Sequence, residues 1–289
     1  MTNLQLFAAC VAIWGSTWLA ITFQLGSVAP EASVFYRFLL ASAMMFAYCR
    51  VRGLSLRFTR REHLWIALQG VLMFSVSYVA VYYAEEHVVS GLVAVGYSAS
   101  PLLNMVGMRL FFGTAMTGRV ALGALLGIVG ITLVFWPEFS HLNTDRHVAL
   151  GAFFTAAAVI LSALSNMAAH RNHDAGIPVW QSMAWGMLYG AGFTLALTLA
   201  LGKPLAFEAT PAYVLSLLYL AVFGSVLAFG GFLTLMGRIG AARAGYIGVM
   251  VPIVALAISS LFEGYRWEWL AVAGVAVSVA GNVIILRRQ

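Results

Sequence analysis

The sequence predicts an all-α, polytopic membrane protein of ten transmembrane helices, built as two inverted five-helix repeats. Three observations predict this fold class. First, 62% of the 289 residues are hydrophobic and only 9% are charged, whereas soluble domains carry roughly 25% charged residues. Second, apolar runs long enough to cross about 30 Å of hydrocarbon as helices recur along the whole chain. Third, prolines and glycines of the first half return at a nearly fixed offset in the second half.

Ten runs with few or no charges each approach the roughly 17 to 25 residues that a membrane-crossing helix needs. In chain order, the predicted spans are residues 4–23, 31–49, 64–84, 88–108, 120–136, 148–169, 177–201, 212–236, 244–262 and 269–286. The connections between them are short, so no separate soluble domain is expected. The first run is interpreted as a retained span, because residues 1–6 hold no Lys or Arg for the basic start of a signal peptide.

The net charge of +6 at pH 7 could suggest a nucleic-acid partner, so the positions of the basic residues must decide. With the amino terminus inside, the inner segments hold twelve basic residues, namely Arg50, Arg52, Arg57, Arg60, Arg61, Arg109, Arg119, Arg171, Arg238, Arg243, Arg287 and Arg288. The outer segments hold three, namely Arg146, Lys203 and Arg266. This positive-inside bias predicts both termini in the cytoplasm. The expected partners of the charge are membrane lipids with anionic headgroups, and no nucleic acid is expected.

An internal repeat connects the two halves of the chain. Pro101 lies in VGYSASPLLNM, and Pro252 lies 151 residues later in GVMVPIVAL. The same offset relates Phe111 to Phe262, Gly113 to Gly264, Gly123 to Gly274 and Gly130 to Gly281. The later glycines of this set are predicted to let helices pack closely in lipid. We therefore divide the chain at residues 1–140 and 141–289. Because five helices is an odd number, the second copy must insert upside down, which favours a site near the midplane between the halves.

Polar side chains within the apolar runs are the candidate site residues, because polar groups in hydrocarbon must face protein or a water-filled cavity. On a 3.6-residue period, Tyr97, Ser100 and Asn104 share one face of the fourth helix. In the third helix, Tyr78 and Tyr82 lie one turn apart. Tyrosine suits a site that holds an apolar or aromatic solute and also offers a hydroxyl group.

Two further features of the first half suggest a cavity wall. Trp14 and Trp18 lie one turn apart in the first helix. Arg37 is the one clearly intramembrane charge, roughly 9 Å below the start of its helix at 1.5 Å per residue. It is predicted to attract a substrate carboxylate. The alternatives are an ion pair with Glu85 or Glu86, or a side chain that extends to the membrane interface.

The second half supplies weaker counterparts. Ser162 and Asn166 are candidates on the sixth helix, Trp185 on the seventh and Tyr246 on the ninth. Proline removes a backbone hydrogen bond and kinks a helix, and glycine loosens it. The predicted hinge residues are Gly91, Gly96, Pro101, Gly245, Gly248 and Pro252.

Several of these segments together resemble a known family. They are WGSTW in the first helix, APEASVFYRFLLASA in the second, the mid-helix Pro101 and Pro252, and LFFG paired with LFEG. The chain resembles the drug/metabolite transporter superfamily, and within it the EamA-type exporters. Glu263 matches a Glu that this family usually has before a Gly, whereas Phe112 replaces it in the first half. The aromatic content resembles the bacterial aromatic amino acid exporter branch.

The resemblance implies a secondary transporter of the bacterial inner membrane that exports small amphipathic solutes, most often aromatic or apolar amino acids, by alternating access. Three alternatives remain open: efflux of lipophilic cations, a facilitative channel, and a lipid-modifying membrane enzyme. The sequence has no Walker loop, no HExxH motif and no cysteine pair with zinc spacing, so we predict no cofactor, no metal and no catalytic residues. Whether transport is coupled to protons is also left open, with Glu85, Glu86 and His87 as candidates for such coupling.

Overall fold

The computed structural model describes residues 1–114, 118–139, 146–239 and 246–286. Within these ranges the chain forms ten helices and no β-strand, which confirms the all-α prediction for this part of the chain. In chain order the helices are α1 (Asn3–Thr22), α2 (Pro30–Val51), α3 (Arg60–Glu85), α4 (Ser90–Phe112), α5 (Gly118–Phe139), α6 (Arg146–Asp174), α7 (Val179–Ala200), α8 (residues 211–239), α9 (Tyr246–Phe262) and α10 (Trp269–Leu286).

The lengths and the surface of these helices suit a bilayer. Among the described residues, seven helices are long and apolar enough to cross a membrane, namely α1 to α4 and α6 to α8. The shorter apolar stretches in α5, α9 and α10 are Ala121–Trp136, Tyr246–Phe262 and Trp269–Ile284. Leu110 and Leu261 are more than 70% exposed, as expected for side chains that face lipid. A polytopic membrane protein is confirmed, while ten crossings remain a prediction.

Local sequence explains where several helices begin. The hydroxyl oxygens of Thr2 and Thr59 accept hydrogen bonds from the backbone N–H groups of Gln5 and Glu62. The side chains of Gln5 and Glu62 in turn accept from the backbone N–H groups of the two threonines. These reciprocal bonds are capping boxes, which satisfy amide groups that a helix start leaves unpaired. Pro30 begins α2, where its missing N–H costs nothing.

Three helices contain a stretch that is not α-helical. One turn of α3 (Leu72–Val76) and one of α8 (Leu220–Leu227) are π-helical. In α4, a 3₁₀ turn covers Tyr97–Ala99, directly before Pro101. Such π and 3₁₀ insertions redirect side chains and occur often at functional sites. All three stretches lie in the middle part of their helices.

Glycines bring pairs of helices into backbone contact. A Cβ atom added at Gly274 of α10 would lie 2.5 Å from the carbonyl oxygen of Gly130 of α5, and one at Gly281 would lie 2.5 Å from that of Gly123. At Gly70 of α3, an added Cβ would lie 2.2 Å from the carbonyl oxygen of a glycine of α7. The predicted close packing at these glycines is confirmed for α5 and α10.

Contacts between helix ends define two ends of the bundle. At the first, the guanidinium of Arg238 near the end of α8 donates to the carbonyl oxygen of Met1. We call it the basic end, because the arginine-rich loop between α2 and α3 follows there. At the second, called the opposite end, Lys203 after α7 forms an ion pair of 3.0 Å with Glu31 at the start of α2.

Candidate substrate cavity

A cavity of about 520 Å³ lies between eight of the helices, α1 to α4, α6 and α8 to α10. Its volume falls within the roughly 300–1,000 Å³ of typical small-molecule sites. The lining residues are Trp14, Thr17, Trp18, Ile21, Arg37, Met73, Tyr78, Val81, Ala94, Tyr97, Ser98, Ser100, Pro101, Asn104, Ser162, Ser165, Asn166, Phe229, Gly248, Val249, Val251, Pro252 and Asn282.

Aromatic rings form one wall of this cavity. Trp14 meets Phe229 edge to face with ring centroids 5.2 Å apart, and its indole N–H donates to the carbonyl oxygen of Gly224 at 3.1 Å. Trp18 meets Tyr97 edge to face, also at 5.2 Å. Edge-to-face pairs are a favoured arrangement of aromatic rings, so these contacts stabilise the orientation of the rings in the wall. The acceptor of the Trp14 bond belongs to the π-helical turn of α8.

Arg37 adds a buried positive charge to the wall. Only 2% of the residue is exposed. Its guanidinium lies 4.6 Å from the ring centroid of Tyr78 and 5.2 Å from that of Phe38, and its Nε donates to the Ser225 hydroxyl at 3.3 Å. Cation–π contacts of this kind stabilise a desolvated guanidinium. Nη1, however, is buried without a hydrogen-bond partner among the described residues.

Neither predicted carboxylate pairs with Arg37. In the described ranges the ion pairs join Lys203 to Glu31 and His170 to Asp174, so the alternative that Arg37 pairs with Glu85 or Glu86 is wrong. A buried charge is costly unless it is paired. The free nitrogen of Arg37 is therefore available to an anionic group that enters the cavity.

Hydroxyl and amide groups of α4 and α6 form the polar wall. The amide nitrogen of Asn166 donates to the side-chain oxygen of Asn104 at 3.0 Å, and the hydroxyls of Tyr97 and Ser162 lie 3.3 Å apart. The hydroxyl of Ser100 is buried without a partner in the part of the chain that the structure describes. These groups leave donors and acceptors for a solute, while their mutual bonds hold α4 against α6.

The cavity brings together most of the residues that the sequence suggested. Those that line it are Trp14, Trp18, Arg37, Tyr78, Tyr97, Ser100, Asn104, Ser162 and Asn166. Of the predicted hinge residues, Pro101, Gly248 and Pro252 also line it. Their roles in binding and bending remain predictions, because position alone does not establish a role.

Three predicted site residues do not line the cavity in this structure, and a role in binding stays a prediction for each of them. Tyr82 is fully buried beyond the cavity, and its hydroxyl donates to the side-chain oxygen of Gln24 at 2.7 Å. Trp185 packs edge to face against His63 at 4.9 Å, and its indole N–H donates to the carbonyl oxygen of Leu56. Tyr246 begins α9 and does not reach the lining.

Two predicted hinge glycines occupy crowded positions. The backbone N–H of Gly91 donates to the Ser259 hydroxyl at 2.8 Å, which fixes α4 against α9. A Cβ atom added at Gly96 would lie 2.3 Å from the side chain of Thr155 in α6. Both glycines thus serve close packing in this structure. Gly245 lies outside the described residues.

Two wall residues that the sequence reasoning missed are Phe229 and Asn282. Phe229 follows the π-helical turn of α8, and no sequence pattern predicted this turn. Asn282 had a usable signal, because it is an amide in the otherwise apolar α10. The same rule that selected Asn104 would have selected it.

A solved crystal structure shares the fold of this chain. It superposes with a TM-score of 0.71 over 98% of this chain and 95% of its own, at 17% sequence identity. At that identity the likeness concerns the fold alone.

Curated relatives and a family model identify the chain. It is 28% identical over 285 residues to the uncharacterized inner membrane transporter YedA of Escherichia coli (strain K12), covering 96% of this chain and 90% of the relative. It is 21% identical over 261 residues to the protein PagO of Salmonella typhimurium (strain LT2), covering 90% and 84%. The model of the EamA-like transporter family matches residues 2–136 and 149–287. The chain is therefore a membrane transporter, not an enzyme, and belongs to the EamA-like transporter family.

Proposed function

We propose that this transporter exports small amphipathic solutes, foremost amino acids with aromatic or apolar side chains, by alternating access through the cavity. The observation that carries the proposal is a buried guanidinium with a free donor beside a wall of aromatic rings. A solute carboxylate would accept from Arg37, since charge-assisted bonds to carboxylates are the strong ones. Its side chain would contact Trp14, Trp18 and Tyr78, and Asn104 would orient its polar end.

Lipophilic cations are the second candidate, because the faces of Trp and Tyr attract cations. Arg37 disfavours them, since its positive charge lies in the same wall with no ion-pair partner in the described ranges. Like charges brought together without water repel strongly, and such repulsion is a common source of specificity. We therefore rank solutes that carry a carboxylate above cations.

Backbone geometry supports the proposed division into repeats at 1–140 and 141–289. Glycines with positive φ end the first, second and fourth helices of both halves. The pairs are Gly26 with Gly176, Gly53 with Gly202, and Gly113 with Gly264. The π-helical turns likewise occupy the third helix of each half, α3 and α8. Two copies of one module account for this agreement better than chance placement of glycines.

Helix packing supports the same division. The proposed repeat pairs each helix of the first half with the helix five places later in the chain. Under this pairing, the contacts of α1 with α8 and α9 correspond to contacts of α6 with α3 and α4. Both sets of contacts occur. The contacts α2 with α7, α4 with α9 and α5 with α10 map onto themselves. This is the pattern of a two-fold axis between the halves. An axis in the membrane plane, as in inverted repeats, would pass through a midplane cavity.

The two ends of the bundle differ in a way that supports alternating access rather than an open channel. Toward the basic end, the cavity lining extends to Gly248 near the start of α9 and Asn282 near the end of α10. Toward the opposite end, Glu263 directly after α9 accepts hydrogen bonds from the hydroxyl groups of Ser90 and Ser259. The Ser90 bond joins α4 to the end of α9, whereas the Ser259 bond lies at the end of α9 itself. We call these three residues the latch. Separation of the latch would expose the cavity to the other side.

The basic end is proposed to face the cytoplasm of a bacterial cell, with both termini there. The excess of arginine in its loops supports this orientation by the positive-inside rule. The relative YedA is described as an inner membrane transporter, which supports the inner membrane as the location.

Counterflow in liposomes tests the proposal. The liposomes contain the purified protein and are preloaded with unlabelled phenylalanine. Labelled phenylalanine should enter by saturable counterflow, and phenylalanine should compete at least about tenfold better than phenylalanine amide. A hydrogen bond to a charged group contributes about 1.5–3 kcal/mol, and 1.4 kcal/mol is tenfold in affinity. Arg37→Gln should abolish this preference. Ser225→Ala removes the bond to Nε and the bond from the Ser225 hydroxyl to the Leu220 carbonyl oxygen but leaves Nη1 in place, so it should keep most of the preference. Equal competition by the amide would contradict the role of Arg37, and absence of counterflow for every amino acid would exclude the substrate class.

A further inference from the structure

A second buried charge-bearing group lies outside the cavity, at the last residue of α3. Glu85 is only 7% exposed, and both of its carboxyl oxygens are buried with no hydrogen-bond partner among the described residues. A carboxylate removed from water without partners is strongly disfavoured, and such a group neutralises itself by taking up a proton. Its burial without partners therefore favours the neutral carboxylic acid form of Glu85 in the conformation described here.

The charged groups that act on Glu85 come from both the latch and the cavity. Glu263 of the latch and Arg37 of the cavity wall are both near enough to interact with it electrostatically. The hydroxyls of Tyr82 on α3 and Tyr97 on α4 also lie within its field. A negative charge on Glu85 would be repelled by Glu263 and attracted by Arg37. The ionisation of Glu85 thus bears on whether the latch holds.

Neighbouring titratable groups face other partners. Glu86 interacts with Lys203 and Glu31. His87 lies 3.1 Å from His147, nitrogen to nitrogen, and burial, then the charge of His147, lowers the pKa of His87. The groups that act on Glu86 and His87 do not belong to the latch, so both residues supply matched control variants.

We propose that Glu85 is a proton-binding site whose protonation is required to close the latch, so that the carrier exchanges one proton for each exported solute. With the latch closed, Glu85 releases its proton toward the basic end, past Arg37 and Tyr97 at the cavity. The resulting carboxylate is repelled by Glu263, so α4 and α9 separate and the solute leaves toward the opposite side. There the Glu85 carboxylate takes up one proton from water, which allows the latch to close, so each cycle moves one proton inward for one solute outward. The proposal rests on the proposed function only for the identity of the exported solute.

Accessibility of the cavity from the opposite end tests the closing step without any solute. Ala94→Cys places a thiol at the cavity wall four residues from the start of α4, in a background with Cys10→Ala and Cys49→Ala. Phe207→Cys, in an exposed loop at the opposite end, serves as reference for the intrinsic pH dependence of thiol labelling. A membrane-impermeant maleimide is applied from the opposite side between pH 5.5 and 8.5. Relative labelling at position 94 should rise with pH, by at most about tenfold per unit for one linked proton.

The carboxyl variants identify the group. Glu85→Gln, which mimics the protonated acid, should give low labelling at position 94 that no longer depends on pH. Glu86→Gln and His87→Gln should retain the rise. Retention of the rise in Glu85→Gln, or its loss in either control, would overturn the proposal. If Glu85→Gln does not insert into the membrane, the labelling of the parent protein still tests the proposal. Labelling at position 94 that does not change with pH would exclude a linked proton and overturn the proposal.

Transport then separates the two proposals. An imposed pH gradient, acid on the opposite side, should increase phenylalanine export by the parent protein and by Glu86→Gln, and the ratio of rates with and without the gradient should fall to one in Glu85→Gln. Export that ignores the gradient in the parent protein would overturn proton coupling while leaving the solute assignment intact. A pH-dependent latch in a protein that moves no amino acid would overturn the solute assignment and support the proton site.

Discussion

Glu31 and Arg37 are both buried charges of α2, but among the described residues Glu31 has an ion-pair partner and Arg37 has none. Glu31 is 1% exposed, receives two 3.0 Å bonds from the Lys203 ammonium and accepts a third from the Tyr83 hydroxyl at 2.7 Å. Burial alone would lower the pKa of Lys203, yet its bonds with Tyr83 and Glu31 raise it. Glu31 thus fixes the start of α2, whereas the unsatisfied Arg37 is available to a solute.

The Glu31 ion pair can be tested by removing its cation. Lys203→Met leaves the Glu31 carboxylate buried and without its countercharge, which costs about 3–5 kcal/mol in fully buried pairs. Because the Lys203 side chain is 31% exposed, we expect a smaller loss, about 1–3 kcal/mol in the free energy of unfolding. Asp174→Asn, which removes the exposed pair with His170, should cost less than about 1 kcal/mol. Equal losses in the two variants, measured by unfolding in mixed micelles, would contradict this account.

At single positions, the sequence could indicate which polar side chains must be shielded from lipid, but it could not indicate which residues they contact. Arg37 and Asn104 stand out in apolar runs, and both line the cavity. Tyr82 and Trp185 stand out equally, yet each donates a hydrogen bond elsewhere, to Gln24 and to Leu56. The acceptors lie 58 and 129 residues away in the chain, so tertiary packing decided the outcome.

Among the helices, the π-helical turn of α8 contributes most to the shape of the site. Its residues supply the acceptor for Trp14 and the hydroxyl for Arg37, through Gly224 and Ser225. A Cβ atom added at Gly224 would lie 2.8 Å from Thr17 and 3.4 Å from the Arg37 guanidinium. A regular α-helix would turn these groups toward other neighbours, because a π turn inserts one additional residue.

Helix packing between α5 and α10 gives a second test. Gly274→Ala would force a methyl group to 2.5 Å from the Gly130 carbonyl oxygen, so α5 and α10 must separate, at a cost of about 1–3 kcal/mol in the free energy of unfolding. Gly192→Ala on α7 is the matched control, because nothing lies within 4 Å of an added Cβ there. It should be neutral or stabilise by up to about 1 kcal/mol, since alanine favours helix. A Gly274→Ala protein as stable as the control would contradict the backbone contact between α5 and α10.

Helix positions followed from apolar run length, whereas helix irregularities did not. The run that starts near residue 64 predicted α3 to within a few residues at its carboxyl end. Its π-helical turn at Leu72–Val76 has no composition signal, since the same residue types continue an α-helix elsewhere. Tyr78 and Tyr82 both follow this turn in the α-helical stretch Ser77–Glu85, yet of the two only Tyr78 lines the cavity.

For the molecule as a whole, the proposed repeat connects the fold, the orientation and the cavity. Glycine pairs and proline offsets in the sequence predict the repeat, because backbone geometry keeps these residues when side chains diverge. The cavity could be expected between the halves on symmetry grounds. The sequence could not show which side chains form the cavity wall, since helices from both halves must first be brought together around the cavity.

Orientation has a direct check in whole cells. In the background without native cysteines, Phe207→Cys should react with an impermeant maleimide from outside, and Ser55→Cys should react only after permeabilisation. Both positions are exposed loops on opposite ends of the bundle. Labelling of positions 55 and 207 from the same side of intact cells would contradict the proposed orientation of the helices in the membrane. It would therefore also contradict the inverted repeat.

The central claim is that solutes cross the membrane through the cavity. Counterflow measured after the cavity is blocked tests this claim most directly. Ser162→Cys places a thiol in the cavity wall, and a bulky maleimide bound there should abolish phenylalanine counterflow in liposomes, with saturating phenylalanine slowing the labelling. The same reagent on Phe207→Cys should leave counterflow unchanged. Full counterflow after complete labelling at position 162 would show that solutes take another route and would contradict the account.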